Sequence, residues 1–134
     1  MSPGQVDSTP RCGLTSPHTI YGKTHDMPPL PLVQGTLDLL VLRTLASGPS
    51  HGYGVATAVH ERTGGDLAVE DAALYQALHR LDRQGLVHAE WRQSENNRRA
   101  RYYELTPSGR KWLRQEMANW RRYSRAVEAV LQGI

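Results

Sequence analysis

The chain has 134 residues, 39% of them hydrophobic, and a formal net charge of +3, enough to bury one modest core and consistent with a single domain. Its longest apolar stretch, Leu37 to Leu45, is broken by Asp38 and Arg43 and falls far short of the roughly 20 apolar residues that a membrane-spanning helix requires. With no basic segment followed by an apolar one at the N-terminus, a cytoplasmic protein with no membrane partner is expected.

Residues 1 to 30 hold Pro3, Pro10, Pro17, Pro28 and Pro29 with hardly any large apolar side chain, the composition of a disordered tail. Met27 directly precedes the first periodic region, and translation is expected to begin there. The single cysteine, Cys12, has no partner for an internal disulfide or a tetrahedral metal site.

From Gln34 to Ser47 the sequence predicts a helix with Leu37, Leu40, Val41 and Leu45 on one face and Leu39, Leu42 and Ala46 on a second. A helix apolar on two sides needs two partners. Gly48-Pro49 stops it, and Ser50 is the expected cap of a second helix running to about Arg62, with Tyr53, Val55, Ala56 and Val59 inward and Gly64-Gly65 at its end. Residues 67 to 69, Leu-Ala-Val, are either a short strand or extended chain.

A third helix starts at Glu70 or Asp71 and closes at Gly85. Leu74, Leu78 and Leu81 follow the i, i+4, i+7 rule and make its core stripe, which leaves Tyr75, Gln76, His79, Arg80 and Arg83 outward as a cationic, hydrogen-bonding surface. "LVHAEWR" and "RARYYEL" then read as the strands of a β-hairpin linked by turn formers from Ser94 to Arg99, with Asn96-Asn97 at the tip. Tyr102 and Tyr103 are expected on opposite faces of their strand.

Thr106-Pro107 supplies an N-cap followed by proline at the first helical position and opens a last helix to about Leu131. Leu113, Met117, Trp120, Ser124, Val127 and Leu131 are spaced 4, 3, 4, 3 and 4 apart, a heptad seam in which only Ser124 is not apolar. About 25 residues rising 1.5 Å each span ~37 Å, longer than the domain the helix follows, and the overhang suggests dimerisation.

Charge is divided unevenly along this order. Residues 1 to 72 carry 4 basic and 7 acidic side chains, residues 73 to 134 carry 12 and 6, so an anion is expected on the second half. Three helices, a hairpin and a terminal helix make a winged helix-turn-helix, mainly α with a small β-hairpin, whose third helix enters a DNA major groove. Arg98, Arg99 and Arg101 would lie along phosphates, where each cation releases condensed counterions. Whether the wing tip enters the minor groove or rests on the backbone stays open.

Other chemistries find little support. His51-Gly52-Tyr53-Gly54 lacks the lysine and the preceding strand of a phosphate-binding loop. The six histidines include no pair at metal-ligand spacing with a nearby acid, so neither a metal nor a cofactor is expected. No nucleophile or acid-base pair stands out, which argues against an enzyme. A winged helix serving only as a protein-interaction module would call for an apolar or mixed-charge outer face on the third helix, whereas Gln76, His79, Arg80 and Arg83 favour DNA.

Residues 34 to 56 ("QGTLDLLVLRTLASGPSHGYGVA"), 74 to 87 ("LYQALHRLDRQGLV") and 98 to 110 ("RRARYYELTPSGR") together resemble the PadR family of bacterial transcriptional regulators, and the resemblance covers nearly all of residues 30 to 131. The single C-terminal helix is similar to that of the family's short subclass. The resemblance implies a homodimeric, usually self-regulating repressor on a double-stranded, pseudo-palindromic operator, with the first and last helices forming the dimer interface. Residues 31 to 106 would then be the DNA-binding domain and 107 to 134 the dimerisation helix, with Leu113, Met117, Trp120, Val127 and Leu131 at the interface. Tyr75 matches the family's recognition-helix tyrosine near the DNA backbone, and Arg98, Arg99 and Arg101 match its basic wing. Gln76 departs from the proline that many members carry there, so an operator preference cannot be carried over. Trp120 matches a position where some members place tryptophan against a small planar aromatic effector; it is also a seam position, where an aromatic serves packing more often.

Overall fold

The computed structural model of the chain describes residues 28 to 133. The expected start at Met27, and all but the last residues of the expected tail, lie outside them. The elements follow in the order α1 Thr36–Leu45, β1 Ser50–His51, α2 Gly52–Arg62, α3 Asp71–Arg83, β2 Val87–Gln93, β3 Arg99–Leu105 and α4 Pro107–Leu131. The strands form one antiparallel sheet in the order β1-β3-β2. Three helices, a hairpin and a long terminal helix are the winged helix expected from the sequence.

The core forms where three helical stripes and the inner face of the hairpin meet. Val41, Leu42 and Leu45 of α1, Val55, Ala56 and Val59 of α2, and Leu74, Leu78 and Leu81 of α3 are buried against Val87, Tyr103, Leu105 and Leu113. The rest of α1's apolar surface, Leu37, Leu39, Leu40 and Ala46, is only partly buried, although α4 packs beside it. Among the described residues no helix is long and apolar enough to cross a membrane.

Several local expectations need correction. The first helix begins at Thr36 rather than Gln34, because Gly35 takes a left-handed φ of 88° just before it. The second is capped by His51, whose Nδ1 accepts the Gly54 N–H at 3.0 Å, and not by Ser50. Ser50 is occupied elsewhere: it pairs with Tyr103 in the sheet, a two-residue strand too short to show any periodicity. Tyr53 points outward, 59% exposed. With the helix starting at Gly52, the buried face is Gly52, Val55, Ala56, Val59 and His60, and Tyr53 falls to one side of it. Of the two alternatives for residues 67 to 69, the structure takes the one without a strand, with Val69 buried.

The third helix ends as expected. Gly85 takes a φ of 77°, and the Leu86 N–H reaches back to the Leu81 carbonyl at 3.0 Å. The hairpin link closes on Asn97, at a φ of 64°, whose side chain accepts a 2.9 Å hydrogen bond from Gln93. Thr106 caps α4 by accepting from the Gly109 N–H at 3.0 Å and donates its own hydroxyl to the Gly85 carbonyl at 2.7 Å. That fastens the start of α4 to the end of α3. Gly109 must be glycine here, because a β-carbon would collide with the Leu86 carbonyl oxygen.

Candidate nucleic-acid interface

The outer face of α3 collects the side chains read from the sequence. Tyr75, Gln76, His79, Arg80 and Arg83 line one shallow depression together, because the leucines on the opposite side fix the helix's rotation. The five are not equivalent. Tyr75 is half exposed and packs so close to α2 that a β-carbon on Gly52 would lie 2.6 Å from its hydroxyl. Arg80 is ion-paired with Asp38 of α1, so this cation is already partly neutralised. Arg83 meets no carboxylate among the described residues.

The hairpin sorts its charges by strand alternation. Residues directly across the pair are Val87 and Leu105, Ala89 and Tyr103, Trp91 and Arg101, and Gln93 and Arg99, all on the core-facing side of the sheet. The first two pairs are in or against the core. The next two lie beyond it, so this face changes from apolar to cationic where the core ends. Trp91 there is 53% exposed, with the guanidinium of Arg99 5.3 Å and that of Arg101 5.6 Å from its ring centre. Arg101 also comes within 4.0 Å of Asp82 on α3, which places this face on the α3 side.

The opposite face is self-neutralising. Arg92 donates to Glu90 at 2.7 Å and lies 3.6 Å from Glu104, and His88 is 3.7 Å from Glu90. The hydrogen bond from Arg92 holds the Glu90 carboxyl below its usual range. At the core end, burial pushes the Tyr103 phenol upward and keeps it neutral. The expectation that Tyr102 and Tyr103 face opposite sides holds: Tyr103 is buried, and Tyr102 lies under Arg92 on the neutralised face.

Arg98, Arg99 and Arg101 are all exposed but do not join the α3 depression. Arg98 sits in the link, and the other two are on β3. Trp91 was not among the residues singled out from the sequence. Its signal was available only through the register, since alternation identifies its strand but not where that strand outruns the core.

On α4, Leu113 is buried and Met117 packs against the core, whereas Trp120, Val127 and Leu131 are 38%, 39% and 54% exposed. Trp120 and Tyr123 lie with ring centres 6.2 Å apart. Among the described residues no group of three or more His, Cys, Asp or Glu could hold a metal.

The sequence model of the family described as "Transcriptional regulator PadR-like family" matches residues 41 to 115, spanning α3 and both strands of the wing. The chain belongs to the PadR family. A PadR family transcriptional regulator from Eggerthella lenta has 30% identity, covers 75% of this chain and 86% of its own, and superposes with a TM-score of 0.64. A PadR family regulator from Clostridium difficile has 27% identity, with 72% and 99% covered and a TM-score of 0.64. An uncharacterised protein in a Streptomyces fradiae transposon is 39% identical over 89 residues, which are 66% of this chain and 24% of that protein. As a PadR protein the chain is a DNA-binding transcriptional regulator, and the family and its solved relatives are regulators rather than enzymes.

Proposed function

We propose that this PadR protein is a homodimeric, ligand-responsive repressor that binds a pseudo-palindromic operator near its own gene. One observation carries the DNA-contacting surface. The outward residues of α3, Tyr75, Gln76, His79 and Arg83, stand beside a wing face on which Asp82 is, among the described residues, the one carboxylate paired with Arg99 or Arg101, while the far face of the wing neutralises itself. Gln76 and His79 have donors and acceptors that suit base edges, and Arg83, Arg98, Arg99 and Arg101 suit phosphates. Arg80 contributes after sharing its charge with Asp38.

Residues 31 to 106 act as the DNA-binding head and 107 to 134 as the dimerisation helix. Support for the dimer is the continuation of the seam beyond Met117, where Trp120, Val127 and Leu131 stay exposed among the described residues. Two heads held in this way present their α3 helices to major grooves about one helical turn apart. Trp120 with its neighbour Tyr123 is the candidate surface for a small planar aromatic effector, whose binding would shift the spacing of the heads.

Gel-shift titration with the gene's own upstream region tests the reading. Binding should exceed that to random duplex and weaken steeply with salt. Equal affinity for both duplexes at physiological salt would refute it. Gln76→Ala should change which sequences are preferred more than it changes affinity.

A further inference from the structure

We infer that Trp91 is a positioning residue for DNA binding: its indole holds Arg99 and Arg101 in place, so that these two, rather than Arg98, form the wing's phosphate clamp. The inference rests on the DNA-binding role proposed for the wing and adds a residue and a division of labour to it.

Trp91 stands directly across from Arg101, with Arg99 two residues away on the same face. Beyond the Ala89 and Tyr103 pair the sheet has left the core, so the indole has no hydrophobic pocket to enter and is half exposed. Two guanidiniums share its ring at 5.3 and 5.6 Å. Two like charges gathered on one ring repel each other, and Asp82, 4.0 Å from Arg101 alone, offsets only part of that. A singly charged backbone phosphate bridging the two would offset the rest.

The contact with a ring costs the arginines few donors, because a guanidinium's N–H groups lie in its plane and its faces carry none. Arg101 shares some of its donors with Asp82 and Tyr103, whereas Arg99 pairs with no carboxylate among the described residues. Holding it there removes rotamer freedom before DNA arrives, so less is lost on binding. The far side of the wing shows the same device with its donors spent: Arg92 lies 5.4 Å from the Tyr102 ring centre, but its N–H groups serve Glu90 and Glu104. Arg98, in the link, has neither a ring nor a carboxylate beside it among the described residues. It contributes charge without a ring to orient it.

A double-mutant cycle on the full-length protein tests this, with the upstream duplex as ligand and thermal melting monitored by circular dichroism to check folding. Trp91→Ala alone should weaken binding by roughly fivefold, the scale of exposed cation–π contacts, and flatten the dependence of log K on log salt by about one unit. Trp91→Phe, which retains a ring, should stay within about twofold of the parent. In an Arg99→Ala, Arg101→Ala background, adding Trp91→Ala should cost nothing further. Full loss in that background would overturn the inference, since the indole would then act on its own, and so would an unimpaired Trp91→Ala single variant. If the two arginine substitutions themselves leave binding unchanged, the DNA-binding role of the wing fails, and the inference with it.

Discussion

The Tyr75 side chain fills the space that a β-carbon on Gly52 would need, with its hydroxyl 2.6 Å from that position. The glycine at the first position of α2 therefore sets where the tyrosine of α3 can stand. Gly52→Ala places no strain on the helical backbone, but it forces the ring outward. Because Tyr75 is half exposed, the ring can move at a stability cost of about 1 kcal/mol. Affinity for the operator should fall about tenfold, the loss of one contact. In the Tyr75→Ala background Gly52→Ala should have no further effect on binding, as measured by fluorescence anisotropy.

Asp38 and Arg80 form an ion pair between α1 and α3, their side chains 23% and 42% exposed. A pair so open to water stabilises the fold by no more than ~1 kcal/mol, so Asp38→Ala should barely move the unfolding midpoint. It should release a full cation to the DNA, raise affinity for random duplex severalfold and steepen the salt slope by about one unit. The ratio of operator to random binding then falls. A uniform loss of affinity would instead mean that Asp38 aims Arg80 at the DNA.

The junction between α3 and α4 should be the most sensitive site for stability. Gly109→Ala drives a methyl group into the Leu86 carbonyl, backbone that cannot yield cheaply, and should cost ~3 kcal/mol. Thr106→Ala loses the cap on the Gly109 N–H and the hydrogen bond to the Gly85 carbonyl, worth ~1–2 kcal/mol together. Urea titrations should show both as shifts of midpoint at constant slope.

Charges placed on the outer seam should separate the proposed dimer without unfolding either chain. Val127→Glu with Leu131→Glu alters residues that a single chain leaves 39% and 54% exposed, so helix content should persist. Sedimentation equilibrium should show the dimer dissociation constant raised by about a hundredfold or more. Val130→Glu, at a residue 82% exposed and off the seam, should leave association unchanged.

What could be read from the chain was what repeats locally. Leu74, Leu78 and Leu81 follow the helical period, Gly85 and Thr106-Pro107 are strong stop and start signals, and β2 and β3 alternate. These were enough for the elements of the wing and for the outward face of α3. What escaped depends on residues far apart in sequence. β1 is two residues long and exists only because β3 is there to pair with it; once Ser50 is in the sheet, the cap passes to His51. The pairing of Arg80 with Asp38 joins residues 42 positions apart, and no pattern in either helix announces it. Trp91 looked like any strand aromatic until the register placed it beyond the core and opposite Arg101.

The smallest strand has the widest reach. Ser50 and His51 pair with Tyr103 and Tyr102 of the wing, His51 also caps α2, and the next residue, Gly52, abuts Tyr75 of α3. Three consecutive residues thus splice the wing, the second helix and the recognition helix together. Under the proposed DNA-binding reading, a phosphate held by β3 is tied through the paired His51 to Gly52, the residue that sets where Tyr75 stands. In that reading the wing and α3 meet DNA as one connected unit rather than as two independent contacts.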